Sequence, residues 1–448
     1  MKTIAFAICL CVFFSPATRS EGAVFEMKLK EAESRAVRAS DELKAYSADE
    51  TAAKSGADAQ FQGLLPKLSL QANYQFYGNI PEIAFPGFPR PVPFGTNNTY
   101  SVGPALNYTL WDTFSTRRSY QASLLTASAR GEDRKSAEIQ LLYSVRAAYI
   151  QVQLGIQELE AIDDSLKLAR AQARDVHTRF AAGAAAQIDV VTAERSVLAY
   201  QIQFEERQAQ LASELKDLLA LLRDDGITDI SKPGPSGVEN VDLVLKLDSL
   251  EDLLKAEGTG ENTLPGDEHP QVKSLSMQSR SLELTASSQS SKLFPTLQLS
   301  AGLDWQRPYM PNPPDFLQET VGVTLTLPLY LGDPSPSLAA EARSQAIAAR
   351  FRRDELKENL QRDFVKARTE LASLHNRREL ATEDVEQSQK AAKLYYLAYR
   401  AGKVNLIDVQ NANTQALEAK VAATRIDAQT LLQMVLLQSL SGKEISHE

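Results

Sequence analysis

The side chains that most often carry chemistry are sparse in this sequence and poorly placed for it. Its four histidines, His177, His269, His375 and His447, fall on different segments with no metal-ligand spacing between them. Its two cysteines, Cys9 and Cys11, sit inside an apolar run at the start. The sequence has no phosphate-cradling loop, nucleophile elbow, zinc-binding helix or dinucleotide fingerprint. The expectation is a protein that is not an enzyme and uses no cofactor or metal. Two aspartates stand apart because they occupy the same place twice. Asp189 is the last residue but one of Phe180-Ala-Ala-Gly-Ala-Ala-Ala-Gln-Ile-Asp-Val190, and Asp408 that of Tyr399-Arg-Ala-Gly-Lys-Val-Asn-Leu-Ile-Asp-Val409, 219 residues later. A carboxylate there has two uses. In the first turn of a helix it stabilises the positive end by about 0.3–1 kcal/mol. Grouped with like charges around an opening, it raises its neighbours' pKa and attracts cations. Spacing alone leaves both open.

Each copy interrupts a long helical pattern at a glycine and restarts it at an aspartate. Gly183 and Gly402 suit the left-handed conformation that ends a helix, so each stretch reads as a helix–turn–helix bend. The duplication reaches further. Val102-Gly103 recurs as Val321-Gly322 and Leu110-Trp111 as Leu329-Tyr330, both at offset 219. Leu64-Leu65-Pro66-Lys67-Leu68 recurs as Leu293-Phe294-Pro295-Thr296-Leu297 at offset 229, the difference being absorbed in a loop. The chain is a tandem repeat, and that dictates the fold reasoning.

Residues 1–20 read as an export signal: Lys2, an apolar run from Ile4 to Phe14, then small residues. Eleven apolar residues are too few for a spanning helix, which needs about twenty. Without Lys2 and Arg19 there remain 46 basic against 57 acidic residues, a net charge of −11. Dispersed acidity of this kind argues against nucleic acid as a partner.

Between the helices the period changes to two. Leu68, Leu70, Ala72, Tyr74 and Phe76 alternate with Ser69, Gln71, Asn73 and Gln75. A second alternating strand carries Val102, Leu106, Tyr108 and Leu110. The second half repeats both, through Leu297, Leu299, Ala301 and Leu303 and then Val321, Val323, Leu325, Leu327 and Leu329. Strands of about ten residues suit a tilted bilayer crossing. One apolar and one polar face is the pattern of a membrane barrel, and Tyr77, Tyr100, Trp111, Trp305 and Tyr330 at strand ends suit interfacial girdles. Two soluble hairpins packed as a sandwich would show the same alternation. Since the smallest membrane barrels have about eight strands, four of them require several chains to close one.

After each hairpin comes a very long helical pattern, Thr113 to Ala182 and about Ser337 to Arg400, with apolar residues at coiled-coil spacing. Shorter helices return, Val190 to Leu222 and Val409 to Leu440. The expected organisation is a signal (1–20), a first repeat (21–222, hairpin 64–112), a linker or equatorial insertion (223–270), a second repeat (271–442, hairpin 293–332) and a tail (443–448). Residues 24–63 read as one helix, matched by Gln271 to Lys292.

Taken with Phe294-Pro295-Thr296-Leu297, Val323-Thr324-Leu325-Thr326-Leu327-Pro328-Leu329-Tyr330-Leu331-Gly332 and Tyr399 to Val409, the chain resembles the TolC-like family of outer-membrane efflux and secretion channels. The resemblance covers nearly all of the mature chain. It implies a mixed α and β fold in which four transmembrane strands form one third of a 12-stranded trimeric barrel. Long helices would form a periplasmic α-barrel below it. It also implies a homotrimer in the outer membrane and its lipid, with a long periplasmic extension. Its partners would be a periplasmic adaptor and an inner-membrane pump, in efflux or type I secretion. The family's entrance is narrowed by acidic residues after the turns, where Asp189 and Asp408 stand. Asn411 occupies a position that is aspartate in some members, and Val404 one that is arginine. Phe180, Gly183, Tyr399 and Gly402 fall on the turns where the adaptor docks. From outside that family, a coiled-coil structural or adhesion protein of the cell surface is the alternative.

Overall fold

The computed structural model describes residues 25–84, 86, 91–223, 245–256, 263–310, 313–329 and 332–442. The expected signal, the tail, Tyr330 and most of the linker lie outside them. In chain order the elements are β1 (Phe25–Glu26), α1 (Leu29–Ala39), α2 (Asp41–Gln62), β2 (Lys67–Phe76), β3 (Glu82–Ile83), β4 (Val92–Pro93), β5 (Asn98–Trp111), α3 (Ser115–Ala181) and α4 (Gln187–Leu222). They continue as β6 (Leu245–Lys246), α5 (Leu250–Ala256), α6 (Pro270–Ser291), β7 (Thr296–Arg307), β8 (Phe316–Thr326), α7 (Ser335–Arg400) and α8 (Leu406–Ser441). The fold is helix-rich with a small antiparallel sheet, and two compact units share it, α3, α7 and α8 contributing to both.

One unit takes Ser40–Ser144, Thr259–Leu374 and Gln433–Glu448. Its sheet runs β2-β5-β7-β8, all antiparallel. The register sorts the side chains by polarity. Ser69, Ala105, Gly302 and Thr320 form one rung, and Asn73 faces Ser101, which faces Gln306. On the other face Leu68 pairs with Leu106 and Leu106 with Ala301, which meets Val321. Leu70, Val321 and Leu325 are 76%, 80% and 66% exposed, so no described residue covers the apolar face there. The β5–β7 ladder is irregular in two places, one of them a register shift between Thr109 and Trp111. Gly103 and Pro104 have no partner on β7, where a Cβ at Gly103 would lie 2.0 Å from the Leu303 carbonyl oxygen. Pro104 has no N–H to donate.

Below the sheet, α6 is held between α3 and α7 by small residues. Ser115 and Ser288 each donate a hydroxyl proton to the other's carbonyl, at 3.0 and 2.8 Å. Ser281 donates to the Ala122 carbonyl and Ser279 to the Ala346 carbonyl. Small side chains let the backbones approach, and each buried hydroxyl finds an acceptor, as burial requires.

The other unit takes Met1–Ala39, Val145–Gly258 and His375–Leu432. Residues 24–63 were expected as one helix, and the structure breaks them. Phe25–Glu26 pair in parallel with Leu245–Lys246, and the Leu29 amide donates to Asp248. A fresh helix then starts at Ser40, whose side chain accepts from the Leu43 amide at 3.2 Å. Tyr149, fully buried on α3, ties this corner together: its hydroxyl donates to the Met27 carbonyl and accepts from the Asp248 amide, both at 2.9 Å. Further along, buried Arg207 on α4 binds Glu158 of α3 at 2.7 Å and Glu214 at 3.1 Å. Arg425 of α8 binds the same Glu158 at 2.6 Å. Gly155 makes room for this ion group, since a Cβ there would lie 2.5 Å from an Arg207 nitrogen.

Two predictions follow from this packing. Arginine at Leu70, Leu106, Leu299 or Leu325 should cost about 2–4 kcal/mol if that face meets lipid. Arginine at Asn73 or Thr324 should be tolerated; heat-resistant assembly on gels reads the difference, and equal tolerance on both faces contradicts the barrel. The second concerns His269, which caps α6. Its Nδ1 accepts from the Gln271 amide at 3.3 Å, and its pKa is lowered by burial, partly offset by a bond to the Ser439 backbone. The folded form resists protonation, so the unfolded chain binds more protons below about pH 6.5 and stability falls as pH drops through that value. The unfolding midpoint should fall on acidification, and by less in His269→Asn, which keeps an N-cap acceptor. Equal pH dependence in both proteins contradicts the assignment.

Candidate functional site at the interhelical turns

The two glycine–aspartate stretches form the turns α3–α4 and α7–α8. Gly183 has φ +74° and Gly402 φ +72°. In the first turn the Gly183 amide donates to the Phe180 carbonyl at 2.9 Å and the Ala184 amide to the Arg179 carbonyl at 2.7 Å. In the second, Gly402 donates to Tyr399 and Lys403 to Ala398, each at 2.9 Å. This paired pattern satisfies the last carbonyls of each long helix and needs a left-handed residue at the glycine.

The returning helices start differently. At α8, Asn405 Oδ1 accepts from the Asp408 amide at 2.8 Å, and Asp408 Oδ2 accepts from the Asn405 amide at 3.4 Å. That reciprocal arrangement is a capping box. At α4 the cap residue is Ala186, which has no side-chain acceptor, so only the Ala186 amide to Asp189 contact at 3.4 Å is made. The Asp189 carboxylate also accepts from the Tyr399 hydroxyl of the other turn at 3.3 Å, a bond that Phe180, the counterpart of Tyr399, cannot give Asp408.

Around that contact the two helical pairs are joined. Arg179 donates to the Arg400 carbonyl at 2.8 Å, lies 5.7 Å from the Tyr399 ring centre, and faces Asp175 at 3.7 Å. Asp175 accepts from the Tyr396 hydroxyl at 2.9 Å. Burial, then Asp175, push the Tyr396 phenol up to about 12, and burial followed by Asp189 raises Tyr399. Both phenols therefore remain protonated donors near neutral pH. Val176, Val190, Tyr399, Leu406 and Val409 form the core beneath. Gln410 donates to the Thr192 carbonyl at 2.8 Å, and Asn413 to Gln172 at 3.0 Å.

The structure thus brings Asp189 to Tyr399 but places Asp408 in its own cap, and it leaves Asn411 exposed. Of the two turn aromatics, Phe180 is 43% exposed and Tyr399 only 7%. Sequence reasoning missed Arg179, Asp175, Tyr396 and Asn405. Asn405 carried a readable signal, an asparagine three residues before an aspartate; the others are polar residues on a helix until the partner element is placed beside them. Among the described residues no cluster of histidine or acidic side chains has the form of a metal site. No described helix is long and apolar enough to cross a membrane.

The family model for outer membrane efflux proteins matches residues 33–222 and 267–443, which takes in both turns and all four long strands. The chain belongs to that family. It is accordingly an outer-membrane efflux channel of the TolC type. Solved structures share its fold. The outer-membrane channel OprN superposes with a TM-score of 0.72 at 17% identity, over 92% of this chain and 89% of the other. CusC gives 0.74 at 14% identity, over 96% of each chain. VceC of Vibrio cholerae gives 0.74 at 16% identity, over 92% of this chain and 96% of the other. No curated sequence matches.

The turn geometry makes a prediction of its own. An added Cβ at Gly183 or Gly402 meets nothing within 4 Å, so conformation and not space restricts these sites. A left-handed non-glycine residue costs roughly 1–2 kcal/mol, least for asparagine. Gly183→Val and Gly402→Val should expose the turns to protease and reduce efflux, whereas the asparagine variants should keep both. A valine variant with unchanged proteolysis and efflux contradicts this role.

Proposed function

We propose that three copies of this chain form a transmembrane duct without catalytic activity. In this reading it is the exit of a tripartite efflux pump or type I secretion system, and a periplasmic adaptor and inner-membrane pump supply the energy. The observation that carries the reading is the sheet. Its strands of 10 to 14 residues are long enough to cross a bilayer, and it has one polar face, one apolar face and two open edges. Four strands cannot close on themselves, so copies must complete the barrel with the polar face inward. Family membership favours this over a surface fibre, which has no need of a lipid-facing sheet. Deleting the gene should raise susceptibility to exported compounds, and affinity capture should recover an adaptor; if both fail, the duct assignment loses its support.

The turns are the proposed adaptor-facing end. Beside them Phe180, Ile188, Val191, Leu397 and Ile407 expose apolar side chains, between 43% and 70% of each. Buried Tyr399 positions the turn, and Gly183 and Gly402 shape it. The entrance itself is assigned to Asp189 and Asp408, up to six carboxylates in a trimer, with Asn411 adding no charge. Both remain partly exposed despite their helix-start bonds. Such a ring should select cations and accept multivalent cations as blockers. Single-channel recordings of the parent, Asp189→Asn, Asp408→Asn and the double variant test this. Loss of selectivity or block in the double variant is expected; unchanged selectivity and block would reduce both aspartates to helix-start residues.

A further inference from the structure

Where β5 hands over to α3, the backbone departs from its own repeat. Thr113 and Phe114 both have positive φ, 55° and 62°, a region that is unfavourable for a bulky residue and usually left to glycine. The second repeat turns the same corner with Gly332, 219 residues after Thr113, at φ +84°. Nothing local offsets the strain at Thr113: its hydroxyl oxygen is buried and has no hydrogen-bond partner among the described residues. Just before the corner, β5 is bulged. Thr109 pairs with Gln298 and Trp111 with Leu297, which leaves Leu110 as the extra residue. Strict alternation would turn Trp111 to the polar face; the bulge sets it opposite Leu297, on the apolar one. Bulges and strained backbone of this kind gather at binding sites, where they aim side chains.

The side chains at this corner line one hollow of about 170 Å³, with Gly63, Tyr108, Trp111, Asp112, Phe114 and Arg117 in its wall. Drug-sized ligands need about 300–1,000 Å³, so the hollow suits a headgroup. Its surroundings are apolar: Leu110, Trp111 and Phe114 are 45%, 44% and 56% exposed. Its charges are one of each sign. Arg117 is exposed and has no hydrogen-bond or ion-pair partner among the described residues. Its neighbour Arg118 is committed, donating to the Thr113 carbonyl at 3.5 Å and to Ser291. Asp112 caps α3 through Oδ2, which accepts from the Thr116 amide at 2.7 Å and the Thr116 hydroxyl at 2.5 Å. Its Oδ1 accepts nothing among the described residues. The long helix α3 leaves the sheet at this corner, so in an outer-membrane channel with a periplasmic extension the hollow lies at the inner leaflet.

We propose that this corner binds one zwitterionic phospholipid of the periplasmic leaflet per chain, by its phosphoethanolamine headgroup. Arg117 donates to the phosphate, Asp112 Oδ1 accepts from the ammonium, and Trp111 and Phe114 flank the glycerol and the start of the acyl chains. A guanidinium and a carboxylate in one hollow match a headgroup that carries both charges. A purely anionic headgroup would set like charge against Asp112. The hollow is continuous with the apolar face through Trp111 and Leu297, which favours a lipid over a free phosphate. The second repeat does not build the site again, since Asp333 and Pro336 stand where Phe114 and Arg117 do. The inference rests on the proposed crossing of the bilayer by the sheet and adds to it one lipid at one place.

Native mass spectrometry tests the site on the delipidated full-length protein, titrated with phosphatidylethanolamine or phosphatidylglycerol of the same acyl chains. The parent should retain phosphatidylethanolamine in preference, up to one molecule per chain. Arg117→Gln should weaken that retention about tenfold, the loss expected for one charge-assisted bond. Asp112→Asn, which keeps an acceptor for the α3 cap, should abolish the preference between the two lipids. Arg352→Gln removes an exposed cation of α7 outside the hollow and should change neither. Variants are compared once heat-resistant assembly on gels matches the parent. Equal retention of both lipids by the parent, or retention that Arg117→Gln leaves unchanged, overturns the site and leaves the sheet in the bilayer. A preference for phosphatidylglycerol overturns the headgroup assignment. Displacement of the lipid by free phosphoethanolamine at equal concentration makes the hollow a site for a soluble ion and overturns the lipid. A parent protein that stays dispersed in detergent-free buffer takes down the crossing sheet and the site together.

Discussion

Everything in this fold answers to a sheet that cannot be satisfied by its own chain. Four antiparallel strands present a wall of leucine, valine and aromatic side chains on one face and serine, threonine, asparagine and glutamine on the other. Both edges carry open backbone donors and acceptors. In water such an object would aggregate through its edges and its apolar face. In a bilayer the apolar face has a solvent, but open edges are then costlier still, because hydrocarbon offers no hydrogen bonds. The proposed closure with further copies would remove both problems together. The demand for a partner is thus written into the backbone, before any specific side-chain contact is considered.

The helices meet a different constraint. The longest, α3 and α7, have 67 and 66 residues. Where α6 lies between α3 and α7, the contact is made of serine and alanine, and hydroxyl-to-carbonyl bonds replace bulky packing. In the other unit, larger residues and ions take over: Tyr149, the Glu158–Arg207–Arg425 group, and the valine and leucine cluster under the turns. The buried Glu158–Arg207 pair adds little net stability, but breaking it is expensive, about 3–5 kcal/mol when one partner is removed, whereas Arg425 is 58% exposed. Such a group fixes which helices are neighbours more than it strengthens the fold.

Much of this was legible in the sequence because the relevant signals are periodic or repeated. Alternation placed the strands, coiled-coil spacing placed the long helices, and the repeated glycines located both turns to the residue. What was not legible depends on tertiary neighbours. Residues 24–63 hold a two-residue strand, Phe25–Glu26, far too short to show a period, and a second helix start at Ser40 that rests on one serine cap. His269 reads as one scattered histidine, yet it is a buried helix cap. Tyr399 reads as a turn aromatic equivalent to Phe180, yet one ring is packed inside and the other faces out, because only one of them lies over Arg179 and beside Asp189.

That last difference shows how a duplicated turn acquires two roles. Both copies keep the glycine, which the left-handed bend requires, and both keep the aspartate, which the helix start favours. They part at the cap residue. Asn405 holds Asp408 in a closed exchange of two hydrogen bonds within its own turn. Ala186 offers no acceptor to the Asp189 amide, but the Asp189 carboxylate makes the same cap contact as Asp408 and also accepts the Tyr399 hydroxyl from the opposite turn. The hydroxyl that Tyr399 has and its repeat counterpart Phe180 lacks therefore ties the repeats at Asp189 and not at Asp408. In the proposed trimer the two acidic positions would then be mechanically unequal: movement of one turn against the other must break the bond at Asp189, whereas Asp408 can travel with its own helix unchanged.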